Sequence, residues 1–241
     1  MAQFAMGAIL LTILLSLWGR WVEHRKLADY GLSADASMAV DLCIGVALAG
    51  GAVAIIFLLT RSLGFAGSAE YDPAPLLTTG FWLFFVKALL VGYWEEVFFR
   101  GYLFVNIRDS AAASFRPIQG KMIAVLITSL LFGLAHVGNS SFSWAALAIL
   151  TFNGAVFCVP MLVTGRLGLS IGMHAAWNFS QSKVFGFAMS GNPSTSSMLR
   201  AEMTGPAFWT GGNYGPEAGL AGIIGLLFLL IAVYGAAVRR L

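Results

Sequence analysis

Tyr93-Trp94-Glu95-Glu96-Val97-Phe98-Phe99-Arg100 lies in the middle of an apolar run from Phe81 to Ile107. Two adjacent carboxylates and a guanidinium occur where a membrane helix would otherwise be nearly all hydrocarbon. Each such charge costs about 2.5–3.5 kcal/mol at a helix centre on insertion scales, so a cluster of them marks a bundle interior or a water-filled cavity. Helical spacing sorts the three groups. Glu96 and Arg100 are four residues apart, share a face and can neutralise each other. Glu95 lies about 100° around the helix from Glu96 and is left without a local partner. The division predicts that Glu95 does chemistry while Glu96 and Arg100 hold the helix in place.

The rest of the chain fits this setting. With 59% apolar and 10% charged residues and a mean hydropathy of +0.82, the composition excludes a soluble globule. Runs of roughly 20 apolar residues recur, each long enough to cross a hydrocarbon core of ~30 Å. They do not alternate polar with apolar, as a transmembrane barrel requires. The expected fold is therefore all-α, one polytopic bundle over residues 1–241 with a polar intramembrane cavity. About seven transmembrane helices are expected, near 3–18, 38–60, 79–107, 118–137, 142–164 and 218–238, with the sixth in order starting near 167 and containing 171–178. The stretch from Gly191 to Glu217, rich in Gly, Pro, Ser and Thr, reads as a tolerated linker. The N-terminus lacks a basic n-region and a cleavage site, so the first segment is expected to be retained.

Basic residues orient the bundle. With seven spans and the N-terminus outside, Arg20, Arg25, Lys26, Arg108, Arg116, Lys121, Arg166, Arg239 and Arg240 fall on one side, and only Arg61 and Arg200 on the other. That bias places the C-terminus in the cytoplasm, in a multi-pass protein of a prokaryotic cytoplasmic membrane. A net charge of +3 spread over segment ends gives no nucleic-acid surface. The expected partners are the lipid bilayer and a peptide or protein substrate, with lipidated peptides among the candidates. Cys43 and Cys158 read as small core side chains without a disulfide, and Asp41 as an interfacial or interhelical hydrogen-bonding group.

The chain holds three histidines. His24, beside Arg25, reads as a solvated surface residue. His136 and His174 lie in apolar segments. Alone, either could serve as an interhelical hydrogen-bonding group. Together with Glu95 they stand on three different helices, and His174 shares a face with Asn178, as Phe132 does with His136. Counted from the flanking basic residues at 1.5 Å per residue, Glu95 lies ~20 Å deep, His136 ~22 Å and His174 ~12 Å. Closing that gap requires helix tilt or a shifted membrane boundary. Gly168 and Gly172 suit close helix packing. Trp94 and Trp177 read as core or lipid-facing side chains, and Asn153 with Pro160 suggests a bent helix near the site.

Glu95-Glu96-x-x-x-Arg100, Phe132-x-x-x-His136 and His174-x-x-x-Asn178, in this order on separate membrane helices, resemble the signature of the CPBP family. This group comprises CAAX proteases and bacteriocin-processing enzymes, also called Abi, and includes the type II CAAX prenyl endopeptidase. The resemblance covers a core of about 81–180. It implies an intramembrane endopeptidase in which Glu95 is the general base that activates water, assisted by His136. His174 and Asn178 would stabilise the oxyanion, and Glu96, Arg100 and Phe132 would give support. No cofactor is implied. The alternative within the enzyme class is a zinc site on Glu95, His136 and His174, which are suitable ligand types although H-E-x-x-H is absent. A non-catalytic scaffold or immunity protein, and a transporter using the same groups as a proton relay, are the readings outside it. The absence of repeated halves weighs against the transporter.

Overall fold

Residues 1–67, 69–200 and 202–239 are described by the structure, a computed structural model. Arg240, counted above among the orienting basic residues, lies outside the described residues. Three of the long apolar helices begin where a polar side chain satisfies one of the first orphan N–H groups. Asp35 accepts from Met38 N–H (3.0 Å) to open α2, Ala36–Ser62. Thr78 accepts from Phe81 N–H (3.3 Å) to open α3, Thr79–Glu96. Ser143 accepts from Ala146 N–H (3.1 Å) to open α6, Trp144–Thr164. The remaining helices are α1, Ala2–Trp18; α4, Phe104–Ala112; α5, Pro117–Leu134; α7, Gly168–Phe179; α8, Ala207–Thr210; and α9, Leu220–Val238. A two-stranded antiparallel pair, β1 (Glu70–Tyr71) with β2 (Leu199–Arg200), sets Glu70 opposite Arg200.

The α7 helix sits at the centre. Every side chain from Gly168 to Trp177 is buried, and the helix packs against α2 on one side and α3 on the other. Around it, α5 lies against α4 and α6, α9 against α2 and α6, and α1 against α3. The close approach of α2 and α7 depends on glycine. A Cβ on Gly172 would stand 2.1 Å from the Leu42 carbonyl oxygen, and one on Gly45 would stand 2.3 Å from that of Leu169. Gly172→Val should therefore push the two helices apart. Overpacking of this kind costs about 1–3 kcal/mol, read as a lowered Tm in detergent, and it should also reduce function because His174 lies two residues on.

Among the described residues, five helical segments are long and apolar enough to cross a membrane: Ala2–Glu23, Ala36–Ser62, Pro117–Leu134, Trp144–Thr164 and Leu220–Val238. Exposed large apolar residues such as Leu14, Leu126 and Ile231 cover their outer faces, as in a lipid-facing surface. The fold is thus all-helical and integral to a membrane, with five candidate spans where seven were expected. The two that fall short carry the Glu95-Glu96 and the His174 motifs. The α3 helix holds Lys87, Glu95 and Glu96 within its 18 residues, and α7 is only 12 residues long, about 18 Å.

Four further expectations change. The expected segment from 79 to 107 is one helical run, but Val97–Leu103 within it is a π-helix, the wide turn that often marks functional sites. Helix α5 stops at Leu134, so His136 stands in the following turn rather than within the helix. Cys43 is exposed on α2 instead of packed in the core, while Cys158 is buried; both are free thiols. The stretch from Gly191 to Glu217 is no linker. It contains β2 and α8, buries Tyr214 and Glu217, and fixes Lys183 through the Thr195 carbonyl.

Candidate active site

The site is built on the wide turn at the end of α3. Glu96 and Arg100 pair at 2.9 Å with both side chains fully buried. Arg100 also donates to the Gly154 carbonyl (3.4 Å), and its guanidinium lies 4.3 Å from the Phe132 ring centroid. Such a buried charge pair holds only with further hydrogen bonds around it. The other partner of Glu96 is His174, whose Nδ1 lies 2.7 Å from Glu96 Oε1. An ionised carboxylate only accepts, so Nδ1 carries the proton and the Nε2 edge is turned the other way. Nε2 is 3.8 Å from Glu95 Oε2, which is buried without a hydrogen-bond partner among the described residues. The central imidazole of α7 thus stands between both carboxylates of α3.

His136 reaches the same space from the turn after α5. Its Nδ1 lies 2.8 Å from the Phe132 carbonyl, an acceptor, so this nitrogen too is the protonated one. The Phe132 ring lies 4.9 Å from the His136 ring and 6.1 Å from that of His174, separating the two imidazoles with an apolar wall. Phe157 closes the other side of His174 at 5.7 Å. Glu95, Phe132, His136, His174 and Asn178 all line one cavity of about 530 Å3, whereas Glu96 and Arg100 lie behind it. Groups counted at different depths along the helices thus meet in one cavity. Gly172 and Gly45 let α7 approach α2 closely, and Gly92 of α3 lies against the α7 backbone, where a Cβ would be 3.0 Å from Ala175 N.

No three or more His, Cys, Asp or Glu side chains among the described residues are placed to hold a metal ion. Glu95, His136 and His174 line the cavity together without forming such a group.

Residues 77–180 match the family of type II CAAX prenyl endopeptidase Rce1-like proteins. Over this core the chain is similar to that family. No curated protein and no solved structure matches the chain. The match spans the caps of α3 through Asn178, so all three motifs fall within it, and it indicates a protease, a peptide hydrolase, set in a membrane.

The three motifs do not account for the whole cavity. Lys87 stands on the same stripe of α3 as Glu95, two turns away, with its ammonium 5.0 Å from the Phe4 ring centroid and 5.9 Å from that of Phe84. Asn153 of α6 is buried in the lining, its Oδ1 unpartnered among the described residues. Trp94 and Trp177, read above as ordinary apolar side chains, also line the cavity. Ser190 and Glu217 complete it from the far side of the sequence. Lys87 and Asn153 were visible in the sequence as polar residues inside apolar runs. Glu217 had no such signal, because it sits in a stretch without periodicity.

Asp41, fully buried, pairs with Arg166 at 2.6 Å and ties the start of α2 to the loop before α7. His24 is exposed at the end of the first helical segment, as its charged neighbourhood suggests.

Proposed function

We propose that this protein is an intramembrane endopeptidase that hydrolyses a peptide bond by glutamate-activated water. The observation that carries the reading is a single cavity into which three separate segments bring Glu95, with its Oε2 buried and without a hydrogen-bond partner among the described residues, together with His136, His174 and Asn178. Glu95 takes a proton from water as the water oxygen bonds to the scissile carbonyl carbon. The electron pair of the C=O moves onto oxygen, giving a tetrahedral oxyanion. Asn178 donates from its amide, and His174 donates from Nε2 when it carries both ring protons. The intermediate collapses with cleavage of the C–N bond, and the proton held by Glu95 passes to the leaving nitrogen. His136, with Nδ1 bound to a backbone carbonyl, has Nε2 left to orient the water. Glu96 fixes the His174 ring through Nδ1, a partner that sets both the tautomer and the orientation of an imidazole.

A CAAX-type protease acts on a membrane-associated peptide or protein, and an opening among helices with exposed apolar faces suits such a substrate. The test uses purified protein with quenched fluorescent peptides, prenylated and unprenylated, with and without a strong zinc chelator. Cleavage that survives chelation supports the water mechanism. Cleavage lost on chelation and restored by zinc would replace it with the metal reading on Glu95, His136 and His174. Under the proposed mechanism Asn178→Ala should lower kcat by about 10²–10³-fold, the usual cost of one oxyanion donor, with a smaller change in KM. An Asn178→Ala protein with wild-type kcat would remove that residue from the mechanism.

A further inference from the structure

The chain between the Rce1-like core and α9 supplies a carboxyl group that the mechanism above leaves unused. Glu217 is 5% exposed, lines the same cavity as Glu95 and His136, and lies beyond the residues matched to the family. A buried carboxyl is costly unless its oxygens find donors. Glu217 Oε2 accepts from Ser190 N–H at 2.7 Å and from the Ser190 hydroxyl at 3.2 Å. Ser190 has φ of 49°, an uncommon conformation for a residue with a side chain. The turn from 189 to 192 is therefore held by its surroundings rather than by local preference.

Those surroundings lead back to the site. Gly191 N–H donates to the Tyr214 carbonyl at 3.0 Å. A Cβ on Gly191 would stand 1.8 Å from the Ser140 carbonyl oxygen, so the turn presses on the chain that follows His136. Tyr214 and Ala218, on either side of Glu217 in sequence, pack in one cluster with Phe99 and Phe132. Phe132 is the residue whose carbonyl holds His136.

We infer that Glu217 is a positioning residue of the cleavage site, fastening the 189–192 turn through Ser190 so that it forms one wall of the cavity and braces the His136 turn. Its effect on cleavage rests on the proteolytic reading; the fastening itself does not. Burial pushes the Glu217 carboxyl above its ordinary range, so its neutral form is close in shape and polarity to glutamine. Either side chain keeps an oxygen for Ser190, and alanine does not.

The experiment compares wild type, Glu217→Ala and Glu217→Gln as full-length protein in detergent, by amide hydrogen exchange and by kcat and KM on a cleaved quenched peptide. Loss of a buried hydrogen-bond acceptor should speed exchange at residues 187–192 and 135–141 about tenfold or more in Glu217→Ala. Exchange in α2 and α9 should stay unchanged. The misplaced wall should lower kcat/KM about 10–100-fold. Glu217→Gln should remain within about threefold of wild type in both readouts, a rescue that a loss of fold would not give. Wild-type exchange in Glu217→Ala would overturn the inference, as would equal damage in Glu217→Gln or a uniform rise across α2 and α9. Faster exchange at the two turns with unchanged kinetics would overturn the positioning role. If wild type cleaves no peptide, that result counts against the proteolytic reading, and exchange at 135–141 decides the bracing by itself.

Discussion

Glu95→Gln should lower kcat by about 10²–10⁴-fold, the range for losing a positioned general base, while the protein keeps its fold. The substitution preserves size and removes only the ability to take a proton. It also disturbs little else. Glu95 Oε2 makes no hydrogen bond in the described structure and lies 3.8 Å from His174 Nε2, beyond hydrogen-bonding distance. The buried Glu96–Arg100 pair and the Glu96–His174 bond do not involve it. Tm in detergent should therefore stay close to wild type, and KM should change much less than kcat. Cleavage at an undiminished rate by Glu95→Gln would show that this carboxylate is not the base.

The second large effect falls on stability. Glu96→Ala leaves the Arg100 guanidinium fully buried without its carboxylate, and Arg100→Met leaves the carboxylate without its cation. Breaking a buried pair from one side costs about 3–5 kcal/mol, whereas replacing both partners by apolar groups can be neutral or better. The double variant Glu96→Leu with Arg100→Met should therefore recover much of the Tm lost by either single change. It should not recover activity, because the Nδ1 partner of His174 is gone in both Glu96→Ala and the double variant. Thermal unfolding and kcat measured on the four proteins separate these outcomes. Single variants as stable as wild type would mean that water reaches the pair and screens it. A double variant with full activity would show that His174 needs no carboxylate behind it.

Much of this site was legible before any coordinates. Charges inside apolar runs are expensive, so Glu95, Glu96, Arg100, His136 and His174 stood out individually, and the spacing of four between Glu96 and Arg100 anticipated their ion pair. What helix counting could not show was which groups meet across helices. It set His174 at a different depth from Glu95, because it assumed upright helices of comparable length. The 12-residue α7, packed closely between α2 and α3 on glycine contacts, nevertheless brings His174 into the same cavity as Glu95. The bond from His174 to Glu96 rather than to Asn178 or Glu95 alone was equally invisible, since Glu96 seemed fully occupied by Arg100.

The stretch from Gly191 to Glu217 shows the opposite case. Gly, Pro and Ser leave no hydrophobic period to read, so a packed wall and a free linker look alike. Only contacts decide between them: the Ser190 turn against Ser140, Tyr214 under the Phe132 cluster, and Glu217 buried at the cavity. By itself, the order of apolar runs determined a helical membrane protein, and the three motifs picked out side chains that line one cavity, because each reflects a local cost that spacing along one helix reveals. The tertiary structure alone decided how many helices are long and apolar enough to span, which carboxylate holds which histidine, and what closes the cavity. Those depend on how closely distant backbones approach, which residue spacing within one segment does not encode.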